Sequence, residues 1–321
     1  MEQIKNCELM TMKLSLVVPC YNEAENVAAF QDAVISAFDG CGYDYEIVYV
    51  DDGSKDATFH NLKKLHNTQK CPVQVISFSR NFGKEAALYA GLQHADGEYI
   101  CFIDGDLQQR PETVREMVTI LDEKPEYDIV AAYQDRRNEG KILSFFKRSF
   151  YSVINRLSDV TLQSDASDFR TFRRSVGESI LKLTEYHRFS KGIFAWVGYS
   201  TCFIPYTACP RAAGTTKWSF RKLMNYAIEG IIGFSTKPLR IATYLGILTA
   251  IAALIYLIAV VCEKLFWGIA IPGYATAIVL ILLLGGIQLL CIGIIGEYVG
   301  KVFEQGKERP IYISKETLPK K

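Results

Sequence analysis

Histidine is scarce in this chain: four residues in 321, namely His60, His66, His94 and His187. None sits in a recognisable catalytic motif, so imidazole-based acid–base or nucleophilic chemistry has no visible carrier. Nine cysteines form no CxxC pair and keep no regular spacing, which leaves reduced, partly buried thiols as the simplest reading. An excess of charge of one sign is also missing. Lys and Arg total 36 against 35 Asp and Glu, a formal net charge of +1, which argues against a general nucleic-acid binder. Residues 1 to 12 lack an apolar core and do not read as a signal peptide. No internal repeat and no low-complexity tract is present.

What the chain does have is apolar length. Ile241 to Val261 and Tyr274 to Gly296 run without a charge, each long enough to cross a bilayer as a helix. Gly246, Gly285, Gly286, Gly293 and Gly296 suit the close packing of membrane helices. Lys217, Arg221, Lys222, Lys237 and Arg240 precede the first span, Lys301, Lys307, Arg309 and Lys315 follow the second, and the intervening loop holds only Lys264. The positive-inside rule then puts both flanks in the cytoplasm. The expected organisation is a cytoplasmic catalytic domain over residues 1–216, a juxtamembrane region over 217–240, two spans within 241–296 and a tail over 297–321. Apolar residues at helical spacing between Ser219 and Phe234 suit an interfacial helix or one packed on the soluble domain.

Residues 13 to 133 alternate strand and helix signals. Strands are expected at Leu14 to Val18, Tyr45 to Val50, Val73 to Phe78, Glu98 to Ile103 and Tyr127 to Ala132. Helices are expected near Ala24 to Phe38, Ala57 to His66, Lys84 to Ala95 and Pro111 to Leu121, with a further one over Leu143 to Leu157. This rhythm predicts an α/β domain with a mostly parallel sheet covered on both faces.

The polar motifs fall at the ends of those strands, where open α/β sheets bind ligands. The run Tyr99 to Ile103 ends in Asp104-Gly105-Asp106, with Gln108 two residues on. Two carboxylates and a neutral oxygen at one turn suit Mg²⁺ or Mn²⁺, and the glycine is expected to let the chain turn. The second strand ends in Asp51-Asp52-Gly53-Ser54. The first breaks at Pro19 into Cys20-Tyr21-Asn22-Glu23, which suits a flat base and a ribose, with helix capping by Asn22 as the alternative. The third ends in Arg80-Asn81-Phe82-Gly83-Lys84-Glu85, where two cations and free backbone N–H groups favour phosphate. Together the four ends specify a nucleoside diphosphate ligand.

Those motifs, with Ser167-Asp168-Phe169-Arg170, Arg188-Phe189-Ser190-Lys191-Gly192, Lys217-Trp218-Ser219, the paired spans and Arg309-Pro310-Ile311-Tyr312, resemble family-2 glycosyltransferases of the GT-A fold. Within them the chain is similar to the membrane-anchored polyprenyl-phosphate glycosyltransferases, the bactoprenol glucosyltransferases and dolichol-phosphate mannose synthase. The resemblance implies a nucleotide-sugar site of Pro19, Tyr21, Asn22, Glu23, Asp51, Asp52, Ser54, Arg80, Lys84 and Asp104. For Lys84 a solvated helix position is the alternative. It further implies Mg²⁺ or Mn²⁺ on Asp106 and Gln108, with Asp104 in the metal shell or on the ribose. Arg188 and Lys191 are implied for the acceptor phosphate, with a surface charge pair as the alternative. Asp168 and Arg170 line the sugar and acceptor pocket or form a structural ion pair. Relatives of the mannose-synthase type tend to carry Arg where this chain has Tyr133, and Arg136 or Arg137 would supply that charge.

A phosphate monoester has a second pKa of about 6 and is largely a dianion at neutral pH, so such an acceptor needs no general base. The expectation is therefore an inverting, metal-dependent transfer from a nucleotide sugar, UDP-glucose first, to undecaprenyl phosphate at the bacterial cytoplasmic membrane. His187 is expected to pack or to support its neighbours. Transfer to a hydroxyl of a glycolipid or polysaccharide, with Asp168 as base, is the alternative. An idle nucleotide-sugar sensor or membrane scaffold is a more distant one. Self-association is left open.

Overall fold

The computed structural model describes residues 14–68, 70–134, 155–156, 163, 166–207, 230–267 and 273–320. The expected helix over Leu143 to Leu157 and the residues Arg136, Arg137 and Lys217 to Ser219 lie outside the described residues, or almost entirely so.

Four βα pairs open the chain: β1 (Leu14–Cys20) and α1 (Val27–Phe38), β2 (Tyr45–Asp51) and α2 (Thr58–Thr68), β3 (Val73–Phe78) and α3 (Lys84–His94), β4 (Tyr99–Phe102) and α4 (Pro111–Glu123). Then come β5 (Ile129–Gln134), β6 (Ala166–Arg173), α5 (Arg174–Leu181), α6 (Ser190–Trp196) and β7 (Thr201–Tyr206). Two long helices, α7 (Lys237–Trp267) and α8 (Tyr274–Gln305), precede a last strand, β8 (Ser314–Leu318). One sheet runs in the order β7-β5-β6-β4-β1-β2-β3-β8. Its β4-β1-β2-β3 centre is parallel, as is the β5–β7 pair, while β6 runs antiparallel between β4 and β5.

Strand alternation builds two cores. Leu14, Leu16 and Val18 of β1 with Ile47 and Tyr49 of β2 face α1, α2 and α4. Val17, Val48, Val50, Ile76 and Phe102 face α3, α5 and α6 on the other side. Because both faces are covered, the strands read as continuous apolar runs. Pro111 opens α4 as expected, in the first turn where a missing N–H costs nothing.

Three differences from the sequence expectation matter. Strand β1 does not break at Pro19; it continues to Cys20, with Pro19 opposite Val50. The last β1–β4 pair is Val17 with Phe102, so Pro19 lies where one neighbour has ended and its missing N–H costs no ladder bond. The spans are longer than their uncharged stretches. The windows that qualify by length and hydropathy are Lys237–Glu263 and Thr276–Gln305, and α8 carries polar residues for about two turns past Gly296. Finally, the segment expected as a tail supplies β8, antiparallel to β3 at the sheet edge. Lys315 and Glu316 are charges of the kind that guard an edge strand, and they disguise it in the sequence.

Strand β8 has a topological consequence. The chain leaves the sheet domain into α7 and returns through α8 to the same sheet, so both ends of the hairpin lie on the domain's side. The hydroxyl of Tyr298 in α8 donates to the Ser235 carbonyl at 2.6 Å, just before α7. Leu248, Ile255, Ile281 and Leu289 are more than half exposed along the hairpin, an apolar surface too large to leave in water.

Candidate active site

The ends of β1 to β4 converge as the strand order requires. At the first, Asn22 adopts φ 55°, a left-handed conformation that Asn tolerates. It does not cap α1; its amide oxygen accepts from Lys55 N at 2.9 Å and its own N–H donates to Ser54 Oγ at 3.0 Å. Two loops are thereby tied together beside Tyr21, which is exposed. Glu23 accepts from the Asn26 amide at 2.6 Å, and its N–H donates to Thr58 Oγ1 at 2.8 Å.

Asp51 and Asp52, expected on the nucleoside, are engaged by the protein itself. Asp51 accepts from Ser77 Oγ at 2.8 Å and Ser54 N at 3.1 Å. Asp52 accepts from Phe82 N at 2.6 Å and Gly83 N at 3.0 Å, so it holds the loop that leads into α3. Burial pushes its pKa up to about 6 against those two backbone bonds. Gly53 sits between this loop and the next at φ 63°, and a Cβ there would lie 2.4 Å from the Arg80 carbonyl carbon. Arg80 is exposed, with its guanidinium 4.0 Å from the Phe82 ring centre.

At the end of β4 Gly105 lies in the turn, as expected, but it is not the residue in the left-handed conformation. Leu107 takes the left-handed conformation, φ 61°, and packs against the core. Gln109 is buried, a residue the sequence reading passed over. Its carbonyl oxygen accepts from Asp104 N at 2.9 Å and its amide donates to Asp104 Oδ2 at 3.2 Å. Asp106 accepts from Gln108 N at 3.1 Å.

Lys84, expected on the diphosphate, stands between two carboxylates. Its ammonium lies 2.6 Å from Asp104 Oδ1 and 3.4 Å from Asp168 Oδ2. Burial lowers its pKa, but the two carboxylates outweigh burial and hold it above the ordinary lysine range. Asp168 arrives on β6, just beyond the Arg170–Phe102 pair that ends β4. Its burial is outweighed by Lys84, Lys191 and Arg170, which keep its pKa below the usual carboxylate value. Asp168 Oδ1 is buried with no hydrogen-bond partner among the described residues. Arg170 lies over the Phe194 ring at 4.2 Å and donates to the Ser167 carbonyl at 2.9 Å.

The two cations expected on the acceptor take different places. Lys191 acts electrostatically on Asp168. Arg188 turns back, donating to the Leu183 carbonyl with its guanidinium 4.4 Å from the Tyr89 ring centre. Burial lowers its pKa, and the charges of Glu85 and Glu185 oppose that. Just before it, the end of α8 grips the chain. Gln305 accepts from Tyr186 N at 2.9 Å and donates to the Thr184 carbonyl at 3.3 Å, and Glu304 pairs with His187. Glu85, which the sequence reading did not assign, accepts from both the N–H and the hydroxyl of Ser190.

Asp104 and Asp106 fit a hard divalent cation as donors, and Lys84 already places a positive charge on Asp104. Among the described residues no group of three His, Cys, Asp or Glu forms. The protein therefore offers two carboxylates and an amide, and a ligand diphosphate would complete the shell, as is usual for Mg²⁺.

Residues 15–181 match the family described as Glycosyl transferase family 2, and residues 237–302 match the GtrB C-terminal hairpin. The chain is similar to "Uncharacterized glycosyltransferase sll0501" of Synechocystis sp., with 40% identity, covering 95% of each chain. It is 40% identical to "Prophage bactoprenol glucosyl transferase homolog" of Escherichia coli (strain K12), over 95% of this chain and 99% of that one. "Bactoprenol glucosyl transferase" of Shigella phage SfV is 39% identical, over 95% and 98%. With its mostly parallel GT-A-like sheet, its strand-end carboxylates and its C-terminal hairpin, the chain is a glycosyltransferase and belongs to glycosyl transferase family 2.

Proposed function

We propose that this enzyme transfers a sugar from a nucleotide sugar to undecaprenyl phosphate, inverting the anomeric centre, at the cytoplasmic face of the bacterial inner membrane. UDP-glucose is the first choice of donor. The observation that carries the reading is the grip of α8 on residues 184–187. A membrane helix ends on the segment that leads into Arg188 and Lys191, so a phosphate borne on a membrane lipid meets those cations where it leaves the bilayer. The bactoprenol names of two relatives support the same acceptor.

Each group then has a defined task. Tyr21 covers the base, while Asn22, Ser54, Asp51 and Asp52 shape the nucleoside loop. Arg80, exposed at the mouth, faces the diphosphate. Asp104, Asp106 and Gln108 would hold Mg²⁺ or Mn²⁺, which would supply Lewis-acid stabilisation of the leaving nucleoside diphosphate. Lys84, Arg170 and Lys191 surround the place where an anionic acceptor must approach an anionic donor, with Arg188 behind them. An acceptor phosphate oxygen attacks the anomeric carbon, the bond to the diphosphate breaks, and the nucleoside diphosphate departs. The low pKa of Asp168 makes it a poor base for a hydroxyl acceptor but leaves it able to hold Lys84 and Lys191 in place.

Purified protein offered labelled UDP-glucose, UDP-GlcNAc and GDP-mannose with undecaprenyl phosphate tests the reading. One donor, UDP-glucose first, is expected to label the lipid in a cation-dependent way. Label transferred only when a hydroxyl-bearing glycolipid is supplied would reject it.

A further inference from the structure

Glu85 has no task in the chemistry above, yet it is among the most engaged polar groups of the site. It is the second residue of α3, beside Lys84, and faces the first residue of α6. Ser190 N donates to its two carboxylate oxygens at 3.1 and 3.0 Å, and Ser190 Oγ donates to Oε2 as well. Ser190 is buried, so water does not replace these bonds. The residue before α6, Phe189, makes no side-chain cap. Glu85 therefore supplies from another helix the acceptor that a local capping residue ordinarily gives.

The fixed point matters because of its neighbours. Lys191 follows Ser190 directly and acts on Asp168; Arg188 lies two residues before it and within electrostatic reach of Glu85. Glu85 forms no ion pair with Arg188, whose guanidinium goes to the Leu183 carbonyl and the Tyr89 ring. Its bonds go to the N–H and hydroxyl of Ser190, not to the segment's charges. We propose that Glu85 is a positioning residue for the acceptor, whose bonds to Ser190 fix the start of α6 on α3 and so set Lys191 against Asp168, with Arg188 held on the same segment. The inference rests on the phosphate-acceptor reading given above.

The charge of Glu85 is not what the role requires. Burial and the neighbouring Asp168 push its pKa up to about 7, so the pocket accommodates an uncharged side chain. Gln keeps an acceptor oxygen for Ser190, and Ala keeps none.

Full-length protein in detergent, with UDP-glucose and undecaprenyl phosphate, separates the possibilities. Glu85→Ala is expected to raise KM for the lipid phosphate about 10-fold, the loss of hydrogen bonds to a buried group. The KM for UDP-glucose should stay within about 2-fold and Glu85→Gln should restore most of the difference, as uniform binding lost on one side only requires. Ser190→Ala, which removes only the hydroxyl, should add little in the Glu85→Ala background, because partners in one contact are not additive. Hydrogen exchange at the Ser190 amide should rise about 10-fold in Glu85→Ala and much less in Glu85→Gln. An unchanged acceptor KM, an equal rise in both KM values, or unchanged exchange at Ser190 would overturn the proposal. Should the wild-type enzyme transfer no sugar to any lipid phosphate, the acceptor reading falls, and the exchange measurement still decides whether Glu85 holds α6.

Discussion

The proposed donor side and acceptor side of this site are held together in different ways. On the donor side, Asp51, Asp52, Asn22 and Gln109 bond to backbone or hydroxyl groups of adjacent strand ends, over a parallel sheet whose side chains are buried on both faces. On the acceptor side, one short segment is held by side chains more than one hundred residues away: Glu85 from α3, and Glu304 and Gln305 from α8. A ladder-supported loop is ordered whenever the sheet is. A segment pinned by a few distant contacts opens locally at lower cost. Under the proposed function, a soluble nucleotide sugar meets a preformed surface, while a lipid substrate meets one whose order depends on the hairpin.

The largest effect should fall on the donor side. Asp106→Asn is expected to cost about 100-fold in rate or more, with chelator doing the same to the wild type and Mg²⁺ or Mn²⁺ restoring it. An active Asp106→Asn enzyme, or full activity in chelator, would remove the cation from the account.

Gly53→Ala should sharpen the contrast from the side of stability. A Cβ placed 2.4 Å from the Arg80 carbonyl carbon, on a residue at φ 63°, meets backbone that belongs to the sheet framework and cannot move aside cheaply. A loss of about 2–4 kcal/mol is expected, read as a lower unfolding midpoint together with weaker nucleotide binding. A variant as stable as the wild type would mean that the donor loops are less fixed than their bonds imply.

Gln305→Ala, at the end of α8, is expected to raise the acceptor KM about 3-fold to 10-fold and leave the donor KM alone, as lost neutral hydrogen bonds do. Equal effects on both substrates would break the division between the two sides. The smallest effect concerns pH. Asp52 rises from 3.8 to about 6 on folding, so between those values the folded state binds more protons and this group's contribution to stability falls as pH rises. Asp52→Asn removes that component. Its melting temperature relative to the wild type should therefore climb by a few degrees between pH 4 and pH 6, and a constant difference would contradict the assignment.

The same division governs how much was legible in the sequence. Four βα pairs, the acidic turns and the two spans followed from apolar periodicity and from Asp104-Gly105-Asp106, because those signals are local. Strand β8 was not legible: Ser314–Leu318 is a polar edge strand whose pairing with β3 is set by a chain returning from the α7–α8 hairpin. Glu85 carries no assignment in the sequence, because an acid in a helix's first turn is favoured by the macrodipole alone and nothing in its neighbourhood names Ser190. Gln109 carries none either, since only burial separates it from Gln108. Lys84 sat in the right motif, but its position between Asp104 and Asp168 needed β6 to lie antiparallel beside β4.

The chemical nature of the acceptor decides the account most directly. The lipid product made from labelled UDP-glucose and undecaprenyl phosphate should be held briefly in mild acid and then partitioned between water and organic solvent. A sugar phosphodiester predicts that the label appears in water as free glucose while undecaprenyl phosphate is regenerated. Label that stays with the lipid through the same treatment marks an ordinary glycoside, and would contradict a phosphate acceptor while leaving the nucleotide-sugar site standing.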